Sequence, residues 1–203
     1  MIVDVVQLKE NMAYWINGMK DKGWLPHYWL NHDHPRVISQ YGDPEHHHRL
    51  SGMMLGTILL TLPGTPFIYN GEEIGMTNVD YESIDDFKDV WVKNNAPALL
   101  KKYPLELVLR HLRRTSRDNA RTPMQWTDEV YAGFSTVEPI QKINRNRSWL
   151  NVEAQEKDEQ SILNHYRRLI HLRQNPDYLV TLVFGDFALL DPKNPNVYAY
   201  NRT

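Results

Sequence analysis

Residues 48 to 62, HRLSGMMLGTILLTL, are apolar around almost the whole circumference of a helix. A helix of that kind has to be covered on more than one side. A short aromatic run, HYWL at 27–30, precedes it, and PFIYN at 66–70 follows after the breaker Pro63-Gly64. Both runs read as short buried strands. A further amphipathic stretch, VVQLKENMAYWINGMK at 5–20, stands in front of them, with Val5, Leu8, Met12, Trp15, Ile16 and Met19 on one stripe and Gly23 ending it. Helix, strand, helix, strand in this order predicts an α/β chain built on a parallel sheet.

The remainder is less regular. Periodicity is weak from about 71 to 158, a length of loop that is usually functional or carries small helices of its own. Residues 80–93 and 104–114 are expected to form such helices. A clear helix is expected over 159–174, with Ile162, Leu163, Tyr166, Leu169, Ile170 and Leu172 on its apolar face and Asn175-Pro176 as its stop. From Thr181 onward the pattern alternates with period two, with turn signals at Asp186 and at 191–196, which reads as antiparallel β. An α/β region that opens on a helix, followed by a β region that breaks off at Thr203, reads as the back part of a larger protein.

Composition narrows the function. The 203 residues carry a net charge of −2, which argues against binding driven by phosphate neutralisation, so no nucleic-acid partner is expected. The basic run Arg110, Arg113, Arg114, Arg117 and Arg121 reads as ion pairs on a solvated face. With no cysteine there is no thiolate chemistry and no disulfide, which fits a cytoplasmic setting. The first residues, MIVDVVQLKENM, lack the pattern of a secretory signal, and the best apolar run, 53–62, is about half of what a bilayer crossing needs. No membrane association is expected.

The chemistry concentrates in LNHDHPRVISQYG, residues 30–42. Asn31, His32, Asp33, His34 and Arg36 follow directly on the run that ends at Leu30, and strands that end in such a burst usually present a site. The run His46-His47-His48 invites a metal reading, but consecutive helix residues do not share a face, so a solvated helix start is expected and no metal site. Trp126 and Trp149 suit either sugar stacking or anchoring of loops. Arg36 is read as structural.

NHDHPRVISQYG, GTPFIYNGEEIGMTNV and RDNARTPMQW appear in that order, ahead of a helix and a β segment. The chain closely resembles glycoside hydrolase family 13, the α-amylase family, in its branch of oligo-1,6-glucosidases, dextran glucosidases and trehalose-6-phosphate hydrolases. The resemblance implies the C-terminal part of a (β/α)8 barrel over residues 1–178, with the last two strands at 27–31 and 66–70 and the last two helices at 48–62 and 159–174. Residues 179–203 would begin the antiparallel β domain. Barrel enzymes keep their chemistry at the C-terminal ends of the strands, where these polar bursts fall.

On the same resemblance, Asp33 is the transition-state stabiliser, set against the positive charge of an oxocarbenium-like sugar. His32 binds a hydroxyl of the same sugar. Arg121, the second arginine of RDNAR, pairs with an upstream Asp and holds the non-reducing-end glucose through its planar fork. Glu72 lines the rim of the aglycone subsite. His34 stands where relatives often carry Gln, Asn or Leu. The implied partner is an α-glucoside oligosaccharide, with no cofactor. Retaining glycosidases need two carboxyl groups about 5 Å apart. In the family these end the fourth and fifth strands, which no segment here resembles, so the expected partner in the fold is the missing N-terminal half of the barrel. The whole would be a retaining α-glucosidase acting on short α-glucosides, or on trehalose 6-phosphate, and this fragment alone would be inactive. The competing reading is a truncated, non-catalytic remnant or a carbohydrate-binding relative. An in-frame barrel half encoded upstream of Met1 separates the two.

Overall fold

The computed structural model describes residues 3–203; Met1 and Ile2, the first two residues of the expected barrel segment, lie outside the described residues. Helix α1, Val5–Met19, starts where the Asp4 side chain accepts from the backbone N–H of Gln7 at 2.9 Å. Its buried side differs from the expected stripe. Trp15 is 55% exposed, while Lys9 is buried beside the turn of Ile16. The reason is the neighbour: Lys9 Nζ donates to the carbonyls of Asp191, Asn194 and Val197 at 2.7, 2.7 and 2.8 Å, so the helix turns a cation toward a ring of carbonyls.

Strand β1, Pro26–His27, leads through helix α2, Val37–Tyr41, and helix α3, His48–Thr61, to strand β2, Thr65–Pro66. The strands pair in parallel, Pro26 opposite Thr65 and His27 opposite Pro66, with α3 as the buried crossover. Both are much shorter than the expected 27–30 and 66–70. Among the described residues each of these strands has only the other as a partner. Beyond His27 and Pro66, Tyr28, Phe67 and Ile68 stay exposed, while Trp29 and Tyr69 pack against Leu30, Val37, Ile38, Leu55 and Ala120.

The segment after β2 carries helices, though not quite where expected. Residues 80–93 do not form one. A capping box, in which Asp86 Oδ2 takes the backbone N–H of Ser83, starts only a single 3-10 turn, Ile84–Asp86, and the extended backbone of Phe87 ends it. Helix α4, Val90–Leu100, starts later, capped by Asp89, whose carboxylate accepts from Trp91 N at 2.9 Å. Helix α5, Leu105–Thr115, folds back on it around Tyr81, Phe87, Val92, Val108, Leu109 and Leu112.

Helix α6, Val152–Glu156, and helix α7, Ile162–Gln174, follow a long loop, and α7 lies against α3 with Ile162 and Tyr166 in the contact. Gly56 of α3 permits this approach, since a Cβ there would stand 2.5 Å from the Tyr166 ring. Asn175-Pro176 ends α7 as expected but also opens helix α8, Pro176–Phe184: the Asn175 side chain caps it and Pro176 supplies the fixed φ of a first turn. Residues 181–184, expected as strand, are therefore helical, and α8 runs across residues 178 and 179. Strands β3, Phe187–Leu190, and β4, Ala199–Arg202, pair antiparallel, and Phe187 joins them to Ile16 and Leu62.

Candidate functional site

The polar burst after β1 is folded by its own side chains. Asn31 Oδ1 accepts from the backbone N–H of Asp33 at 2.8 Å, and Asn31 O accepts from His34 N at 3.2 Å. This tight turn holds His32 and Asp33 outward. Arg36 goes the other way and is only 1% exposed. Its Nε donates to Asn119 O at 2.9 Å, its Nη1 to Asn70 O at 2.6 Å and its Nη2 to Thr122 Oγ1 at 3.1 Å, with Tyr69 stacked 5.8 Å away. Arg36 thus ties the loops after β1 and β2 to the segment 119–122.

That segment delivers the second half of the site. A 3-10 turn over Arg117–Arg121 is started by Ser116, whose Oγ accepts from Asp118 N at 3.2 Å. Arg121 Nη2 donates to Asp33 Oδ1 at 2.8 Å, and its Nε donates to the backbone oxygen of His32 at 3.0 Å. Arg117 Nη1 donates to the same Asp33 Oδ1 at 3.1 Å. His32 Nε2 stands 3.4 Å from the other oxygen, Oδ2. The structure therefore brings His32, Asp33 and Arg121 together.

Electrostatics follow the geometry. Partial desolvation works to raise the Asp33 carboxyl, but the hydrogen bond and charge of Arg117, with His32 and Arg121, outweigh it and hold the group below its ordinary value. Asp33 is charged and accessible. A cleft of about 380 Å³ opens beside it, lined by Asp89, Trp91, His111 and Arg117 among others. A second, of about 480 Å³, lies along Arg121, Trp126, Phe134 and Ile140.

Glu72, expected on a subsite rim, stands apart from this cluster. It is 2% exposed, in a 3-10 turn behind β2. Its Oε1 accepts from the hydroxyl of Tyr166 on α7 at 3.0 Å, and Oε2 accepts from Tyr69 N at 3.5 Å. Burial pushes its pKa up to about 7, against the pull of those two hydrogen bonds. An apolar helix face and a turn close over it, so it serves the interior.

Two residues of the cluster escaped sequence reasoning. Arg117 reads in sequence as part of a solvated basic run, although it is the first arginine of the motif that supplies Arg121. Asp89 falls inside the helix expected over 80–93, although an Asp directly before VWV is a helix-start signal. The histidine run disperses: His46 meets Asp43 at 3.4 Å, while His48 Nε2 contacts Gly75 O at 2.7 Å and stacks edge-on against Trp149. Among the described residues no group of three or more His, Asp or Glu side chains is placed to hold a metal ion. No helix among them is long and apolar enough to cross a membrane.

A model of the α-amylase catalytic domain matches residues 1–181 of this chain. The chain belongs to the α-amylase family. Among curated members, the oligo-1,6-glucosidase of Bacillus cereus is 41% identical over 201 residues, 98% of this chain and 36% of that protein. The glucan 1,6-α-glucosidase of Streptococcus pneumoniae is 38% identical over 203 residues, covering 37% of its own length. Of solved α-amylase family structures, the trehalose-6-phosphate hydrolase of Bacillus licheniformis has a TM-score of 0.95 at 36% identity, over 100% of this chain and 36% of that one. A variant of the isomaltulose synthase of Erwinia rhapontici NX5, solved with its natural substrate sucrose, has a TM-score of 0.92 at 37% identity, again over 100% of this chain and 36% of that one. The chain thus spans little more than a third of the length of the family members it matches.

Proposed function

We propose that this chain is the C-terminal part of the (β/α)8 barrel of a retaining α-glucosidase, with β1 and β2 as its last two strands, α3 and α7 as its last two helices and β3–β4 opening the β domain. The observation that carries the reading is Asp33. It stands just past the C-terminal end of a parallel strand, ionised and gripped by two arginines, in a chain similar along its whole length to glycoside hydrolases. A fixed negative charge there stabilises the positive charge that develops on the sugar as the glycosidic bond breaks. His32 donates to a sugar hydroxyl, and Arg121 orients the glucose from the side of Oδ1.

The nucleophile and the acid/base, about 5 Å apart in retaining enzymes, are assigned to the part of the relatives that this chain does not span. The substrate class is short α-glucosides, α-1,6-linked by the kinship to oligo-1,6-glucosidases. Trehalose 6-phosphate is the second candidate, on the likeness to the Bacillus licheniformis hydrolase. The setting is the cytoplasm, in keeping with a chain free of cysteine.

The test joins the chain to the preceding barrel segment and assays isomaltose, p-nitrophenyl α-glucoside and trehalose 6-phosphate. Isomaltose turnover that releases α-glucose first, seen by proton NMR before mutarotation, is the expected result. The 203-residue chain alone is expected to be inactive. Release of β-glucose, or turnover by the purified chain alone, overturns the assignment.

A further inference from the structure

Arg117 is the second of the two arginines on Asp33, and the reading above gives it no role of its own. All three of its guanidinium nitrogens are engaged. Nη1 donates to Asp33 Oδ1 at 3.1 Å, Nη2 to Asp89 Oδ1 at 2.9 Å, and Nε to Asp89 Oδ2. A planar fork bonded along one edge to a carboxylate has its direction set.

Asp89 is itself fixed. Its side chain is only 4% exposed, it caps α4 through Trp91 N, and its backbone N–H donates to Asp118 Oδ2 at 2.9 Å. Asp118 is wholly buried and also takes Lys88 N and Gln141 Nε2, each at 2.9 Å. A continuous ladder, Asp118 to Asp89 to Arg117 to Asp33, thus runs from the interior out to the catalytic face. A surface ion pair of the ordinary kind has no such buried footing.

The consequence falls on Asp33. Arg117 and Arg121 share Oδ1, whereas among the described residues Oδ2 has only His32 Nε2, at 3.4 Å. We infer that Arg117 is a positioning residue for Asp33: locked to Asp89, it fixes the carboxylate plane and, with Arg121, occupies Oδ1, so that Oδ2 beside His32 is the oxygen offered to the sugar. This rests on the reading of Asp33 as the group that faces the sugar. The downward shift of the Asp89 carboxyl, set first by its hydrogen bond from Arg117, agrees with a ladder that stays charged.

The experiment uses the enzyme in which this chain is joined to the rest of the barrel, with isomaltose as substrate. Arg117→Ala, Arg117→Lys and Asp89→Asn are compared with Asp33→Asn. Misdirecting a catalytic group by a fraction of its reach costs up to about a hundredfold in rate. Arg117→Ala is therefore expected to lower kcat by tens of fold with KM changed less. Arg117→Lys, a charge without a fork, falls between it and the wild type. Millimolar guanidinium is expected to return part of the lost kcat to Arg117→Ala and none to Asp33→Asn. Wild-type kcat in Arg117→Ala and Arg117→Lys, alongside lost turnover in Asp33→Asn, overturns the positioning role and leaves the functional reading standing. So does a loss in Arg117→Ala that guanidinium leaves untouched while both Arg117 variants lower the thermal midpoint equally, which marks a merely structural residue. Wild-type kcat in Asp33→Asn overturns the functional reading itself, and this inference with it.

Discussion

Asp33 and Glu72 are carboxylates that follow the two strands of one parallel pair, yet their surroundings drive them in opposite directions. Asp33 is open to solvent and faces Arg117, Arg121 and His32, and its pKa is lowered. Glu72 is enclosed by Tyr166, Tyr69 and the interior, and its pKa rises to about 7. The contrast teaches that the charge of a carboxylate at a strand end is set by the groups around it, not by its position in the fold. The one without a facing cation in contact becomes part of the packing.

The contrast is most severely tested at Arg36, the guanidinium beneath both regions. Arg36→Met leaves the carbonyl of Asn70 without its donor and strips the Arg36 bonds from the Asn119 carbonyl and the Thr122 hydroxyl, which keep only the bond between them. The expected cost is on the order of 3 kcal/mol in the intact enzyme, read from urea denaturation midpoints. A loss under about 1 kcal/mol would show that water or neighbouring donors replace it.

Glu72→Gln probes the interior partner through pH. The ordinary value for Glu is 4.5, and the folded value is about 7, so the native state holds a proton that the unfolded chain releases. Glu72 therefore contributes stability fully present below about pH 4.5 and lost as pH rises toward about 7, to a limit of roughly 3 kcal/mol. Thermal midpoints of the wild type should fall across that window relative to those of Glu72→Gln, which cannot ionise. Parallel curves would show that Glu72 is charged in the fold. Asp33 has the opposite sign. Its lowered pKa gives stability present above the ordinary carboxylate range and lost as pH falls through the folded value.

Asp33→Asn breaks the exposed side of the comparison. The change is nearly isosteric, so folding should survive, while kcat for isomaltose falls on the order of a hundredfold with KM less affected. An effect on KM alone would make Asp33 a ground-state binder. Arg121→Ala should show the smallest effect, with KM raised about tenfold and a modest drop in kcat, because on the proposed function it clamps a part of the sugar that does not react. Steady-state kinetics of the two variants side by side decide whether their roles separate.

Much of this was legible in residue order. The apolar run 48–62 determined a helix, and α3 runs over His48–Thr61 with Leu55, Leu59 and Leu60 buried and Leu50 and Met54 exposed. The resemblance of NHDHPR and RDNAR to α-amylase family motifs pointed to His32, Asp33 and Arg121, which the fold brings within hydrogen-bonding reach of one another. Local signals sufficed there because helix periodicity and motif spacing are carried by neighbours in the chain. What only the tertiary structure decided depends on partners far away in sequence. Strand length is one case, since β1 and β2 stop where ladder partners stop. The burial of Lys9 is another, created by carbonyls at 191–197, and so is the interior fate of Glu72, closed in by Tyr166 of α7. The pairing of Arg117 with both Asp89 and Asp33 is the last. Each joins residues 28 or more positions apart, and the electrostatics of a charged group are set by which of those distant partners reach it.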